Sequence, residues 1–198
     1  PEDCLTLVSQ LRLQVPDTPL VLMTYYNPIL SYGLAAFAAR SEKAGVDGLI
    51  MVDVPPEEAA PMAEQCRPRN IHVIPLLAPT STEERIEKAC QQASGFIYCV
   101  SLTGVTGARD QVSQRAFHLA QRVRAHTSLP IAIGFGISKR EHVEAVGQHA
   151  QGAVVGSALV RVIQSAVDAP RAQLVRRAQS FVAELAGKAH SMAGGLKA

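Results

Sequence analysis

Six short apolar runs, separated by segments with helical spacing, predict an α/β fold of the TIM (β/α)8 barrel type that here lacks about the first two βα units. The runs are continuous and rich in β-branched residues, which is typical of parallel strands buried on both faces. Glycine-bearing turns follow the last two runs, where a β/α barrel holds phosphate. An open Rossmann-type sheet is the competing fold, but no GxGxxG fingerprint follows the first run.

The elements alternate along the chain as βα units require. The predicted strands are 20–25, 48–53, 72–77, 95–100, 130–134 and 152–156. Helical spacing begins at Pro1 and returns over 34–45, 86–93, 116–123 and 174–185. Two capping-box pairs would begin two of these helices, Ser81 with Glu84 and Ser138 with Glu141.

The first residues indicate that the native polypeptide is longer. Pro1 starts a helical pattern, and no initiator methionine precedes it. A (β/α)8 barrel typically has about 250 residues, whereas this chain has 198. Without two units, strands 20–25 and 152–156 would each lack a neighbour and expose backbone edges, so we expect aggregation or strand exchange.

The composition is that of one domain with a substantial apolar core. Hydrophobic residues make up 47% of the chain, and the formal net charge is +2. This charge is too small to indicate a nucleic-acid or membrane-surface partner, and no apolar run reaches the ~20 residues of a membrane span. We expect a single, incomplete barrel domain over 1–198, with 187–198 as a frayed tail.

Four cysteines form neither a CxxC pair nor a zinc spacing. They predict reduced thiols in a cytoplasmic protein, and Cys99, within an apolar run, is expected in the core. The six histidines are scattered without an HExxH motif, so no metal site is predicted.

Reactive residues of parallel barrels gather where strands end and in the loops that follow. That rule selects Tyr25, Asp53, Tyr98, Thr106, Gly107, Phe135, Gly136, Gly156 and Ser157. Gly136 and Gly156 let backbone N–H groups approach an anion, and a helix N-terminus after Gly156 favours phosphate. Ser157 would cap the helix starting at Ala158, and its hydroxyl would donate to phosphate.

Three features keep two interpretations each. Asp53 is either a general base or a carboxylate that caps a helix or binds a loop. The segment 102–114 is either a lid over the barrel mouth or a surface loop. Tyr98 points either into the barrel mouth or into the helix layer.

Five motifs together closely resemble the tryptophan synthase alpha subunit family. They are 22–28 (LMTYYNP), 44–50 (AGVDGLI), 53–58 (DVPPEE), 101–107 (SLTGVTG) and 134–138 (GFGIS). The resemblance extends from Pro1 to about Phe181. It implies retro-aldol cleavage of indole-3-glycerol phosphate to indole and glyceraldehyde 3-phosphate, without a cofactor.

The family's two catalytic carboxylates have no counterpart in this sequence. The resemblance implies a Glu at the end of the barrel's second strand and an Asp in the loop that follows it. Both would lie upstream of Pro1, so no catalytic residue is assigned. We therefore expect the 198-residue chain alone not to release indole at a rate typical of the family.

The resemblance also implies roles for residues that are present. The substrate contacts it implies are Tyr25, Tyr98, Thr106, Gly107, Phe135, Gly136, Gly156 and Ser157. The positions it implies at the interface with a beta subunit are Asn27, Asp53, Pro55 and Gly104. That partner binds pyridoxal phosphate, and the implied assembly is an alpha2beta2 heterotetramer.

Two alternatives stay open at this point. One is a truncated, non-catalytic chain that binds a phosphate ligand or a beta-type partner. The other is a different phosphate-binding barrel such as a sugar-phosphate epimerase, which the GVTG segment and the Tyr-Tyr-Asn-Pro motif disfavour.

Overall fold

The computed structural model describes residues 1–100, 114–134 and 136–187. Its strands are β1 (Val21–Thr24), β2 (Gly48–Met51), β3 (His72–Val73), β4 (Leu76–Leu77), β5 (Ile97–Val100), β6 (Ile131–Gly134) and β7 (Gly152–Val154). Its α-helices are α1 (Glu2–Arg12), α2 (Tyr26–Tyr32), α3 (Leu34–Ala44), α4 (Ala60–Cys66), α5 (Glu83–Gln92), α6 (Gln114–Arg124), α7 (Arg140–Gly147), α8 (Ser157–Gln164) and α9 (Arg171–Leu185). Two short 3₁₀ helices span Pro56–Glu58 and Arg67–Arg69.

The strands lie side by side in the order in which they occur along the chain. One sheet has the order β1-β2-β3 and the other β4-β5-β6-β7, and every described pairing is parallel. A Rossmann-type sheet reverses its strand order partway across. The sequential order therefore favours the predicted barrel over the open sheet.

The third predicted strand is divided at Pro75, which the sequence analysis did not anticipate. Ile74 N donates to Leu49 O at 2.9 Å, so the first half pairs with β2. Tyr98 N donates to Pro75 O at 3.0 Å, so the second half pairs with β5. Because proline has no N–H to donate, the ladder is interrupted there. One curved segment thus joins the two sheets.

The strands divide the core into two layers, because alternate side chains point to opposite faces. The side chains that face the helices include Leu49, Val73, Leu77, Ile97, Cys99, Ile131 and Ile133. Ile50, Ile74 and Tyr98 form a separate cluster on the inner face.

The helical predictions hold for the middle of the chain and fail in part at its end. The α6 stripe of Ala116, Leu119, Ala120 and Val123 is fully buried, as expected. In α9, however, Val175 is 43% exposed and Val182 is 50% exposed. Among the described elements α9 contacts only α7 and α8 closely, so much of its predicted apolar face has nothing to pack against.

Both predicted capping boxes are wrong. Thr82 is the N-cap of α5, and its hydroxyl accepts a hydrogen bond from Arg85 N at 3.3 Å. Ser81 Oγ instead accepts from Ala78 N at 3.1 Å, so the predicted cap serves the preceding turn. The N-cap of α7 is Lys139, not Ser138.

Arg12, the last residue of α1, fixes the start of two strands. Its guanidinium forms an ion pair with Asp47 and donates to the carbonyls of Val15, Pro16, Thr18 and Gly45. Asp47 Oδ2 also accepts from Leu20 N at 2.6 Å, and Asp47 N donates to Leu20 O at 2.9 Å. We call Arg12, Asp47 and Leu20 the first clamp.

A second clamp repeats this arrangement under β6 and β7. Arg124, the last residue of α6, donates to Leu129 O at 2.9 Å and to the side-chain oxygen of Gln151. The same Gln151 oxygen accepts from Ile131 N at 3.0 Å, and Gln151 N donates to Ile131 O at 2.9 Å. In both clamps the acceptor residue directly precedes the second strand of the pair.

Replacing Asp47 with alanine should lower the free energy of unfolding by about 1–2 kcal/mol. The change leaves a half-buried guanidinium without its carboxylate and Leu20 N without its side-chain acceptor. Urea denaturation followed by circular dichroism measures the effect. Asp17→Ala is the control, because this exposed carboxylate in the same connection makes no described hydrogen bond. Equal losses in the two variants would contradict the clamp.

The 198-residue chain should self-associate, because β1 and β7 each pair on one side only within the described ranges. Met23 in β1 is 53% exposed, and a lysine there should disfavour edge pairing. Sedimentation velocity should show a smaller associated fraction for Met23→Lys than for Leu30→Lys, a matched change on α2 at 50% exposure. A monodisperse, sharply melting monomer would overturn this prediction.

Candidate functional site

The strand register brings several predicted site residues to the same end of the sheet. Gly134 in β6 pairs with Val154 in β7, so Gly136 and Gly156 each lie two residues beyond a paired position. Tyr25 directly follows β1, whose last residue pairs with the end of β2. Other candidates lie outside the described residues: Gly104, Thr106, Gly107 and Phe135, together with all but the last residue of the predicted lid 102–114.

Gly136 and Gly156 form two different turns at neighbouring strand ends. Gly136 is exposed and has φ +78°, which strongly favours glycine. Gly156 is exposed, and a Cβ added there would meet no atom within 4 Å. Open space therefore lies in front of the turn that follows β7.

The helix α8 begins directly at this turn. The helix begins at Ser157 with Gly156 as N-cap, so the prediction that Ser157 caps a helix from Ala158 is wrong. No capping hydrogen bond from a side chain is found among the described residues, and the first turn contains no acidic residue. The first N–H groups of α8 thus present partial positive charge, which suits an anion.

Tyr98 points to the inner face of the barrel and not into the helix layer. It is 7% exposed and packs with Ile50 and Ile74. A Cβ at Gly134 would overlap Tyr98 Oη, so the phenol occupies the space that any side chain at Gly134 would need. Burial raises the pKa of the Tyr98 phenol, which keeps the hydroxyl protonated and able to donate at neutral pH.

Asp53 is tied to the helix that follows β1. Its Oδ1 accepts a hydrogen bond from Tyr26 N at 2.8 Å, so the carboxylate binds the start of α2 and not the helical turn that follows it in the sequence. Tyr25 is the N-cap of α2 and is 64% exposed. Asn27 is exposed in the first turn of α2, and Pro55 precedes the 3₁₀ helix. Three of the four residues implied at a partner interface therefore lie on two connections, which the Tyr26–Asp53 hydrogen bond joins.

Sequence reasoning missed α2 and the role of His142. No helix was predicted over 26–32, although proline is tolerated in the first turn of a helix. His142 is 4% exposed, and its Nδ1 accepts from Ser138 N at 3.2 Å, directly after Gly136 and Ile137. The only sequence signal was a histidine in the first turn of a helix that follows a glycine turn.

The cysteines and other potential metal ligands do not assemble into a metal site in the described part of the chain. Among the described ranges, no three His, Cys, Asp or Glu residues come together in a way that could hold a metal ion. Burial raises the pKa of the Cys66 thiol to about 11 and that of Cys99 to about 12, so both stay protonated. Cys99 is fully buried, as predicted. No described helix is long and apolar enough to cross a membrane.

Comparisons with known proteins identify the family of this chain. The family profile described as tryptophan synthase alpha chain matches residues 1–190. The tryptophan synthase alpha chain of Roseiflexus castenholzii is 47% identical over 186 residues, covering 94% of this chain and 70% of the relative. That of Methanocaldococcus jannaschii is 42% identical over 162 residues, covering 82% of this chain and 58% of the relative.

A solved structure gives the same result at the level of the fold. A chain of the tryptophan synthase a2b2 complex from Pyrococcus furiosus superposes with a TM-score of 0.84 at 37% identity, covering 94% of this chain and 73% of that one. The predicted TIM barrel is confirmed, and the epimerase alternative has no support. The chain spans 58% to 70% of the length of the two curated relatives. It belongs to the tryptophan synthase alpha chain family.

Proposed function

We propose that this chain binds indole-3-glycerol phosphate and supplies the substrate-binding part of the lyase that cleaves it to indole and glyceraldehyde 3-phosphate in tryptophan biosynthesis. Family membership supports the reaction. The observation that carries the binding role is the uncapped N-terminus of α8 behind Gly156, beside the turn at Gly136. Backbone N–H groups in this arrangement bind a phosphate dianion without any basic side chain.

The other proposed substrate contacts rest on the family resemblance and, for some residues, on their position at the inner face of the barrel. Ser157 lies in the first turn of α8 and adds a hydroxyl near the phosphate. Tyr98 and Tyr25 border the space for the indole and glycerol parts, Tyr98 from within the barrel and Tyr25 from the rim. Thr106, Gly107 and Phe135 are assigned to the substrate by the family motifs alone.

The chemistry assigned to the whole enzyme is general acid–base catalysis of a retro-aldol cleavage. One carboxyl group acts on the indole ring carbon, and the second stabilises charge at the indole nitrogen. No position within 1–198 matches either group, so this chain's residues bind and orient the substrate. We propose no cofactor for this chain and a cytoplasmic location, in line with the biosynthetic role and the reduced thiols.

The proposed partner is a tryptophan synthase beta subunit in an alpha2beta2 assembly. The Pyrococcus furiosus relative belongs to an a2b2 complex, which supports this proposal. Asn27, Asp53 and Pro55 lie on two adjacent connections at the rim, where the family motif places partner contacts. Gly104 is assigned to the same interface by its motif. Pyridoxal phosphate belongs to the partner.

Gly156→Asp should abolish binding of glycerol 3-phosphate to the 198-residue chain, because a fixed carboxylate would stand where the dianion binds. We expect at least ~10-fold weaker binding by isothermal titration calorimetry. Gly147→Asp is the matched control, since a Cβ there also meets no atom within 4 Å. Unchanged affinity in Gly156→Asp would show that the phosphate site is assigned wrongly.

An indole-release assay tests the catalytic half of the proposal. Substantial turnover by the 198-residue chain, lost in Asp53→Asn, would make Asp53 the base and contradict the assignment of both carboxylates outside residues 1–198.

Gly134→Ala should displace Tyr98 and weaken binding of an indole-bearing phosphate ligand. Gly152→Ala is the control, because a Cβ there would lie 3.4 Å from Ala132 Cβ, an ordinary contact. Urea denaturation of Gly134→Ala, Tyr98→Ala and the double variant should give a coupling free energy of about 1–3 kcal/mol. Strictly additive losses would show that the phenol and the added methyl group do not compete for space.

A further inference from the structure

A buried histidine supports the connection between β6 and α7. His142 occupies the third position of α7 and is one of two buried polar residues in the described part of the chain. Its Nδ1 accepts the backbone N–H of Ser138 at 3.2 Å. Ser138 directly precedes the N-cap residue, Lys139, so the imidazole satisfies a backbone donor just before the helix begins.

Two successive residues of this connection contact the rest of the protein, and the residue before them is exposed to solvent. Ile137 is 3% exposed and packs into the helix-facing core cluster. Ser138 is held through its N–H by His142. Gly136, directly before them, is exposed at φ +78°. The exposed glycine is therefore followed by two residues that the rest of the protein holds in place.

We propose that His142 is a positioning residue for phosphate binding, acting through the Ser138 N–H to hold the Gly136 turn in its ligand-binding form. Because the turn is fixed before the ligand arrives, binding does not need to order it. The inference rests on the proposed phosphate site. It adds a residue that touches neither substrate nor phosphate.

The test compares three replacements of His142 in the 198-residue chain. Asn Oδ1 is bonded to Cγ, as His Nδ1 is, so His142→Asn keeps an acceptor for Ser138 N. Gln places its oxygen one bond further out, and Leu has no acceptor. Glycerol 3-phosphate affinity by calorimetry should fall at least ~10-fold in His142→Leu and His142→Gln. It should stay within about threefold of the parent in His142→Asn.

Val146→Ala separates positioning from stability. Val146 is a buried residue of the same helix, and its truncation should destabilise the chain without removing the bond to Ser138. We expect it to lower the urea midpoint but not the phosphate affinity. If affinity falls in Val146→Ala as it does in His142→Leu, the effect is one of stability and the positioning role is wrong.

The outcomes separate the two proposals. A parent chain that does not bind glycerol 3-phosphate contradicts the proposed phosphate site itself. A parent chain that binds it, with equal affinity in all three His142 variants, overturns the role of His142 alone. If His142→Leu does not fold, the Asn and Gln variants decide the question, since equal affinities in those two would also overturn it.

Discussion

The contact on which the rest of the structure depends is the one that each arginine clamp makes at the start of a strand pair. In the first clamp Asp47 accepts the N–H of Leu20 and returns its own N–H to the Leu20 carbonyl. This pairing leads directly to the register in which Val21 lies opposite Gly48. A slip by one residue would turn every side chain of the strand to the other face. The clamp therefore decides which residues face the barrel interior.

The register set at one end of the sheet determines which residues meet at the other. From the first clamp, β1 and β2 run in parallel to Thr24 and Met51, which brings the helix start at Tyr26 within reach of Asp53. From the second clamp, β6 and β7 run to Gly134 and Val154. The Gly136 and Gly156 turns consequently follow at the same level. The positions of the residues proposed to contact substrate and partner thus depend on polar contacts at the opposite end of the strands.

The sequence was sufficient to predict the barrel because the signals for it are local. Apolar runs and glycine turns depend on near neighbours, and the fully buried stripe of α6 follows from its spacing alone. The predictions were wrong or incomplete where residues distant in the sequence determine the local structure. Asp53 caps α2 from 27 residues away, so the Asn27-Pro28 segment gave no local sign of a helix. The direction of Tyr98 was likewise undetermined, because a strand buried on both faces has no polar side to fix its orientation.

The N-caps of three helices were predicted wrongly for a related reason, which concerns the hydroxyl side chains near helix starts. Ser81, Ser138 and Ser157 each lie one residue away from the actual cap. Short polar side chains bond to several nearby backbone groups with similar energy, so sequence spacing alone does not choose between them. The roles of Thr106, Gly107 and Phe135 remain predictions that rest on the family motifs.

The glycines of the site serve two opposite purposes. At Gly134 the missing side chain makes room for another part of the protein, since the Tyr98 phenol fills that volume. At Gly156 the space stays open, in front of a helix whose first N–H groups have no capping side chain. Gly134 is therefore required by packing, whereas Gly156 leaves the space that the proposed phosphate would occupy. A substitution would therefore act through a different physical cause at each, although Gly134 ends β6 and Gly156 follows the neighbouring β7.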